Sequence, residues 1–293
     1  MSAPFFFIVN ARIGDKKIQA LRQAVQEHLP GEAILYLTAY GGHATVLAQQ
    51  ALQEKASFVI AVGGDGTVNE VVQVLAHSTI SLGIVPTGSG NGLARHCLIP
   101  LHIAEAVALL KNAKLSTIDL GRANEKFFIS NAGVGFDAQV CQTIKETKSR
   151  GLAMYVRKVI QHYFTYKKDT YTITTDSKTF QQEAFFLNVA NGKEFGYGFE
   201  IAPVASLQDG MLDMILVKSI HFLNGFRFVW NGWRGKLTQS KNCLYLRTTR
   251  LEVQGANLRY FQTDGDAHDC QGRCVIEIHP KSLNLLVHPN AVL

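Results

Sequence analysis

The sequence predicts a doubly wound parallel α/β domain followed by a mostly antiparallel β-sandwich. The first 120 residues alternate short apolar runs, rich in Ile, Val and Phe, with helix-like stretches, a pattern typical of a parallel sheet. After about Leu120 the runs alternate in polarity and are separated by Gly or Asn turns, which favours antiparallel pairing. The length of 293 residues suits two domains of roughly 100–200 residues each. We expect domains at 1–120 and 121–293, and leave open whether the extreme C-terminus returns to the first.

The runs of the first half predict strands that are buried on both faces. These are Phe5–Val9, Ala33–Leu37, Phe58–Val62 and Ile80–Val85, with helices predicted at Lys16–Leu29, His43–Lys55 and Thr67–His77. Sheets of this class bind ligands beyond the carboxyl ends of their strands. We therefore expect the functional site at that edge.

The second half contains strand-length runs and two predicted helical insertions. The strands are Phe127–Asn131, Tyr171–Thr175, Phe185–Asn191, Leu212–Val217, Cys243–Arg247, Arg250–Gln254, Leu258–Thr263 and Val275–His279, and the insertions are Gly151–Lys167 and Ile220–Lys236. No linker rich in Pro or Ser separates the halves, so we expect the domains to pack with a cleft between them.

Composition narrows the class of protein. A hydrophobic fraction of 47% and a charged fraction of 18% exclude a disordered chain. The net charge of +6 favours anionic partners, whether phosphorylated ligands, nucleic acid or an acidic membrane. Five cysteines are an odd and sparse set, which favours a reducing cytosol over a disulfide framework. We expect no secretory signal, because the apolar run that ends at Val9 is too short for one.

Residues 63–70, Gly-Gly-Asp-Gly-Thr-Val-Asn-Glu, join a predicted strand to a predicted helix. Three glycines let backbone N–H groups turn toward a ligand, and the helix N-terminus favours an anion, so a phosphate group is expected here. Thr67 is predicted to cap the helix, with Glu70 completing a capping box. A carboxylate repels phosphate, so Asp65 is expected to bind Mg²⁺ or to act as a base.

A second Gly-rich segment, 86–95, follows the next strand and includes Ser89 and Asn91. Two such loops at adjacent strand ends predict the two walls of one nucleotide site. The chain has no Walker-type phosphate loop and no protein-kinase HRD or DFG element. Residues 133–138 imitate a dinucleotide fingerprint, but they fall where the pattern has become antiparallel.

Several motifs in a fixed order carry a resemblance that covers the whole chain. They are Val9-Asn10 with Gly14, Thr38 before Gly42-His43-Ala44, residues 63–72, residues 86–95, Ile118 to Gly121, Asn131 to Ala138, Ala202-Pro203, Asp209 to Asp213 and Thr263 to Asp266. This set resembles the diacylglycerol kinase catalytic-domain family, the bacterial lipid kinases related to sphingosine and ceramide kinases. The resemblance implies a phosphofructokinase-like nucleotide domain, a C-terminal β-sandwich and an ATP/Mg²⁺ site in the cleft. It also implies transfer of the γ-phosphoryl group to a hydroxyl of a diacylglycerol-like or sphingoid lipid, within phospholipid biosynthesis.

The resemblance also implies site residues by motif position. The implied ATP contacts are Asn10, Arg12, Gly14, Thr38, Gly64, Asp65, Gly66, Thr67, Val68, Asn69, Glu70 and Ser89. A Mg²⁺ ion that supports the fold would take Asp209 with backbone oxygens of Ser206 and Met211. The motif that supplies the base reads Asp264-Gly265-Asp266, so Asp266 is the expected base, with Asp264 and then Asp65 as alternatives.

Three residues depart from the family pattern. Arg12 stands in a loop that more often holds proline and serine, and adds a candidate phosphate contact. Gly92 replaces a common aspartate and removes one possible metal carboxylate. Asp266 replaces a glutamate, which shortens its reach by about 1.5 Å at standard bond lengths.

Two stretches combine aromatic and basic residues. The first holds Met154, Tyr155, Val159, His162, Tyr163 and Phe164 with Arg150, Arg157, Lys158, Lys167 and Lys168, and the second holds Phe222, Phe226, Phe228, Trp230 and Trp233 with Arg227, Arg234 and Lys236. Such helices lie in an anionic membrane interface, or else pack on the sandwich with their cations solvated. His268, Cys270, Cys274 and His279 are metal-ligand types, but their spacing matches no common zinc pattern, so a surface loop is expected.

Two other functions stay open. A soluble kinase of a non-lipid molecule, similar to NAD kinase, would share the Gly-Gly-Asp-Gly loop. A binding module for anionic lipid or nucleic acid would leave both Gly-rich loops unexplained. We expect a cytoplasmic enzyme, peripherally associated with a membrane that holds its lipid substrate, without a nucleic-acid partner, and leave open whether it is a homodimer.

Overall fold

The computed structural model describes residues 5–145, 152–196, 199–219 and 230–293. The chain divides into two compact units, the first made of Met1–Leu120 with Pro280–Leu293 and the second of Gly121–His279. Both boundaries fall inside strands, β5 (Lys114–Ala123) and β18 (Arg273–Val287).

The first unit is built on a parallel sheet. Its strands are β1 (Phe5–Val9), β2 (Ala33–Leu37), β3 (Phe58–Gly63) and β4 (Ser81–Pro86), in the order β2-β1-β3-β4. The C-terminal part of β18 continues the sheet, parallel to β4, with Asn284 opposite Ser81. Its helices are α1 (Asp15–His28), α2 (His43–Gln53), α3 (Asp65–Leu75), α4 (Gly92–His96) and α5 (Ile103–Leu109). Helix α1 packs against α5 and α2 packs against α3.

Burial explains the apolar runs of this sheet. Every residue of β1 and β4 is buried, whereas β2 exposes Ile34 and Leu37. Strands buried on both faces have no solvent side for polar residues, so their sequences are continuous apolar runs. Edge strand β2 is also a continuous apolar run, although it is buried less completely.

The second unit is a β-sandwich, and its described residues also form helices. Its strands are β6 (Lys126–Phe128), β7 (Asn131–Gly135), β8 (Asp169–Thr175), β9 (Thr179–Ala184), β10 (Phe186–Ala190), β11 (Glu194–Gly196), β12 (Phe199–Glu200), β13 (Leu212–Val217), β14 (Cys243–Thr248), β15 (Arg250–Gln254), β16 (Tyr260–Thr263) and β17 (Asp266–Asp269), and its helices are α6 (Phe136–Lys145) and α7 (Leu152–Tyr163). One antiparallel sheet has the order β14-β13-β10-β7-β16-β17, and the other pairs the N-terminal part of β18 with β15, followed by β8 and β9. Val134 and Met214 of the first sheet share a buried core with Ile173 and Val253 of the second.

The predicted fold class is confirmed, and several element predictions need correction. The single strand predicted at 127–131 is broken, with β6 ending at Phe128 and β7 beginning at Asn131. The break occurs because the N–H groups of residues 129–131 donate to the Asp264 carboxylate instead of to a neighbouring strand. The last predicted strand is also longer than expected and runs to Val287. Most of the insertion predicted at 220–236, including Phe222, Phe226, Arg227 and Phe228, lies outside the described residues, as does Arg150.

Within the described ranges, no helix has the length and apolar character needed to cross a bilayer.

Candidate active site

The predicted nucleotide residues of the first unit lie at one edge of its parallel sheet. Strand β3 pairs with β1 on one side and with β4 on the other, with Val62 opposite both Val9 and Val85. The loops that follow these three strands therefore leave the sheet side by side. This confirms the placement expected from the open α/β pattern.

The two Gly-rich loops touch through their backbones. A Cβ atom on Gly88 would lie 2.5 Å from the Cα of Gly64, so Gly88 has no room for a side chain, and a Cβ on Gly64 would lie 3.1 Å from the Cα of Gly88. The Thr87 N–H donates to the Gly63 carbonyl at 2.9 Å. Asn91, at φ +53°, bonds both the N–H and the carbonyl of Gly88 through its side chain, at 3.0 and 2.9 Å. The loops thus form one backbone surface next to the N-terminus of α3, where an anion is favoured.

Asp65 links these loops. Its Oδ2 accepts the Asn91 N–H at 2.9 Å and its Oδ1 accepts the Gly92 N–H at 2.8 Å. A Cβ on Gly90 would lie 2.8 Å from Oδ2, which explains the small residue there. Asp65 therefore fixes the second loop on the first, a role that its interpretation as a metal ligand or base did not include.

The predicted capping box is wrong. Helix α3 begins at Asp65 with Gly64 at the N-cap, so Thr67 lies inside the first turn. Thr67 Oγ1 accepts a hydrogen bond from Asn10 Nδ2 at 3.0 Å instead. Glu70 caps a different helix, since its two oxygens accept the N–H groups of Gly42 and Ala44 at 3.1 Å each, at the start of α2. Both side chains hold neighbouring loops in place.

The loop after β1 is tied to the rest of this edge. Asn10 Oδ1 accepts the Arg12 N–H at 3.0 Å, and the Ala11 N–H donates to Thr38 Oγ1 at 3.3 Å. Arg12 and Gly14 are exposed, and Gly14 adopts φ +87° at the start of α1. Asn10 and Thr38 thus hold a loop that presents Arg12 to solvent.

The remaining implied ATP contacts differ in exposure. Gly66 and Ser89 are exposed, whereas Thr67, Val68 and Asn69 are buried. The N–H groups of Thr67 and Val68 donate to the Gly64 carbonyl at 3.0 and 3.2 Å, so the exposed Gly66 and Ser89 are the more accessible members of this set.

Two cations at the second loop were not predicted as site residues. Lys17 Nζ donates to the Thr87 carbonyl at 3.1 Å, and Arg95 Nε donates to the Gly90 carbonyl at 3.1 Å. Both side chains are exposed, and they add positive charge where a phosphate is expected. Arg95 belongs to the quoted loop motif, but Lys17 lies 70 positions from its partner, so no local signal marks it.

In the second unit, Asp264 and Gly265 form the tight turn between β16 and β17, at φ +49° and +89°. Positive φ at both positions is typical of a two-residue hairpin turn with the sequence Asp-Gly. The Asp264 carboxylate accepts the N–H groups of Ile129, Ser130 and Asn131 at 2.8, 2.8 and 3.1 Å. Asp264 is therefore an anchor, while Asp266 is exposed at the start of β17.

A buried polar network lies behind this turn. Gln262 accepts the Gly265 N–H at 2.9 Å and donates to Asn131 at 2.8 Å and to Asp137 at 3.3 Å. Asn188 donates to the same Asn131 oxygen at 3.0 Å. Burial raises the pKa of Asp137 to about 7, because its charged form loses solvation there. The sequence analysis did not single out Asp137, whose burial results from the fold.

The Asp209 segment differs from the arrangement that the resemblance implies. Asp209 Oδ1 accepts the Met211 N–H at 3.1 Å, and Oδ2 bonds the Arg247 guanidinium. Arg247 also lies opposite Asp213 on the paired strand, with 3.6 Å between Nε and Asp213 Oδ1. Oxygen donors suit Mg²⁺, but here a guanidinium supplies the positive charge at the only carboxylate of the implied set. With Arg247 so placed, Ser206, Asp209 and Met211 do not fit the ion.

The His and Cys residues near the C-terminal strands have ordinary partners. Thr263 Oγ1 and His268 Nε2 are 2.8 Å apart, and burial lowers the pKa of His268 to about 4. Cys270 Sγ donates to the Arg273 carbonyl. Across the part of the chain that the structure describes, no three His, Cys, Asp or Glu side chains are grouped to hold a metal.

Comparisons with known proteins place both halves of the chain in known domain families. Residues 4–123 match the family model of the diacylglycerol kinase catalytic domain, and residues 130–287 match that of the YegS C-terminal NAD kinase beta sandwich-like domain. The diacylglycerol kinase of Bacillus subtilis is 30% identical over 80% of this chain and 79% of its own length. A protein of Serratia proteamaculans named "Probable lipid kinase YegS-like" is 28% identical over 99% and 96%.

Solved structures share the fold. The crystal structure of a diacylglycerol kinase from Bacillus anthracis has a TM-score of 0.76 at 22% identity, and covers 99% of this chain and 98% of its own. An NAD kinase from Archaeoglobus fulgidus, solved in complex with ATP, has a TM-score of 0.57 at 14% identity, with 98% and 95% covered. At these identities the likeness concerns the fold.

Proposed function

This chain belongs to the diacylglycerol kinase catalytic-domain family, and we propose that it transfers the γ-phosphoryl group of ATP to the hydroxyl group of a lipid. The acceptor class is a diacylglycerol-like or sphingoid lipid. Membership of the family supports kinase activity, and the lipid acceptor is what we propose beyond it.

The contact between the two Gly-rich loops is the observation that carries the proposal. Close backbone approach at Gly64 and Gly88, locked by the two Asp65 hydrogen bonds, presents N–H groups and a helix N-terminus together. Such a surface suits phosphate groups, which need several fixed donors, and both oxygens of the Asp65 carboxylate are held by N–H groups of the second loop. Lys17 and Arg95 supply cations at the same loop.

Asp266 is proposed as the base that removes the proton from the lipid hydroxyl. Its exposure allows contact with an acceptor, whereas the oxygens of Asp264 are already engaged by three N–H groups. A base on the attacking hydroxyl is one of the parts that phosphoryl transfer requires. Mg²⁺ bound with ATP would spread the negative charge of the phosphates, and Arg12, Lys17 and Arg95 are placed to bind their oxygens.

A soluble kinase similar to NAD kinase is the second candidate, favoured by the fold likeness to the Archaeoglobus enzyme. The diacylglycerol kinase of Bacillus subtilis is the stronger argument, because it is 30% identical to this chain and the Archaeoglobus enzyme only 14%. The lipid acceptor is therefore proposed first.

A panel of acceptors separates these candidates. The protein is incubated with radiolabelled ATP and diacylglycerol, sphingosine, ceramide, phosphatidylglycerol or NAD, with Asp266→Asn as the inactive control. Label in a lipid product, absent with Asp266→Asn, is expected. Label in NAD alone would replace the lipid-kinase proposal by the second candidate.

A further inference from the structure

Helix α7 carries an exposed apolar stripe. Val156 and Ile160 in α7 and Phe164 just after it are 46%, 50% and 67% exposed. These residues are spaced four apart, so they lie along one side of the helix. A stripe of large apolar side chains open to water is costly in solution unless another surface covers it.

The neighbouring face of α7 is already used by the fold. Val159 and Tyr163 pack against a core cluster that includes Phe185 and Ile215. Tyr163 also contacts the Phe185 ring, with 5.9 Å between centroids. The exposed stripe is therefore additional to the face that holds the helix on its own unit.

A second segment on the same cluster exposes two tryptophans. Leu237 is a fully buried member of that core cluster. Just before it, residues 230–233 are helical, and Trp230 and Trp233 are 49% and 53% exposed. They are the only two tryptophans of the chain. Tryptophan is enriched among the side chains that lie at the interface between water and lipid.

Along the sequence, the charged residues of both segments are all basic, although Glu200 lies beside Gly235 of the second. Residues 152–168 contain Arg157, Lys158, Lys167 and Lys168 and no acidic residue, and residues 230–241 contain Arg234, Lys236 and Lys241 and again no acidic residue. Lys168 is paired with Glu183, while Arg157 and Arg234 are exposed. Apolar side chains flanked by cations complement a bilayer whose surface is anionic.

We propose that the stripe of α7, with Trp230 and Trp233, forms a docking face for an anionic phospholipid membrane. The apolar side chains enter the interface while the flanking cations meet the lipid phosphates. The docking face rests on the proposed function and adds to it the surface through which the enzyme reaches a lipid acceptor. Nucleic acid offers no reason for the aliphatic stripe, and a protein partner is an outcome that the test below separates.

Tryptophan fluorescence tests the face directly, because both tryptophans belong to it. Vesicles of phosphatidylcholine and phosphatidylglycerol are added to the protein without ATP. Emission should shift to shorter wavelength and the protein should sediment with the vesicles, whereas phosphatidylcholine alone should do neither. An unchanged spectrum with no sedimentation overturns the proposal.

Charge substitutions localise the effect. Val156→Glu and Ile160→Glu should each weaken binding to the mixed vesicles roughly tenfold, since each replaces apolar burial by repulsion from the anionic surface. Val46→Glu is the matched control, because Val46 is a helical valine that is 47% exposed on α2, and it should bind as wild type does. Equal binding by all three variants, or a wild-type dimer that Ile160→Glu dissociates, overturns the proposal.

A water-dispersed short-chain acceptor separates this inference from the proposed function. Ile160→Glu should phosphorylate the dispersed acceptor at the wild-type rate and lose activity only on vesicles. Vesicle binding by a wild type that phosphorylates no lipid supports the docking face and refutes only the lipid-kinase function.

Discussion

Comparison of Asp264→Asn with Asp266→Asn should show which carboxylate stabilises the fold and which takes part in the reaction. In Asp264→Asn, one amide oxygen can still accept the N–H groups of Ser130 and Asn131, but the amide nitrogen would face the Ile129 N–H. At least one of three bonds is lost and two donors oppose each other. Hydrogen bonds to charged groups are worth about 1.5–3 kcal/mol each, so the free energy of unfolding should fall by about 2–4 kcal/mol.

Asp266→Asn should keep the stability of the wild type and lose activity. Substitutions of exposed side chains usually change stability by less than about 0.5 kcal/mol, while loss of a general base lowers the rate on the order of 10²–10⁴-fold. Asp266→Glu, which restores the longer side chain, should retain or raise activity.

Thermal unfolding and radiolabelled phosphoryl transfer are measured on the same preparations. Asp264→Asn should lower the melting temperature by roughly 5–15 °C, and Asp266→Asn should melt as wild type does. The reasoning is refuted if Asp264→Asn melts normally and abolishes turnover while Asp266→Asn stays active. Asp264 would then take the proton.

Three further substitutions test the site. Asp65→Asn, which keeps one of the two bonds to Asn91 and Gly92, should retain the fold by circular dichroism and lose phosphoryl transfer; near wild-type turnover would remove Asp65 from the mechanism. Arg247→Gln should create a melting temperature that rises with added Mg²⁺, because an ion bound only by the folded state stabilises it; a rise in wild type would show that the ion binds Asp209 despite Arg247. Asp137→Asn should become more stable relative to wild type as pH rises from about 4 to about 7. Folded Asp137 keeps a proton there that the unfolded chain, titrating near 3.8, has released. Parallel pH profiles of the denaturation midpoint would contradict that assignment.

The positions of Gly64, Asp65 and Ser89 could be predicted because they depend on local order along the chain. An apolar run followed by glycines marks the carboxyl end of a buried strand, and parallel strands bring such ends to one edge. The fold class follows from the same periodicities, since continuous runs and alternating runs report how many faces of a strand are buried.

The parts that were not predicted depend on distant pairs. Glu70 caps α2 rather than its own helix, and Asp264 breaks a strand from 135 positions away. Lys17 and Arg247 reach their partners only after the strands have paired. A single sequence carries no local signal for such contacts.

Strand β18 makes the first unit depend on residues that are synthesised after those of the second. Leu283 and Leu285 are fully buried, Ser282 accepts the His77 N–H at 2.7 Å, and the Lys281 N–H donates to Asp119 at 2.7 Å, all within the first unit. On a ribosome, residues 5–120 emerge early, but their sheet lacks one strand until 280–293 follow. The first unit is thus completed after the residues of the sandwich have emerged, and a fragment ending at 120 is expected to expose the flank of β4.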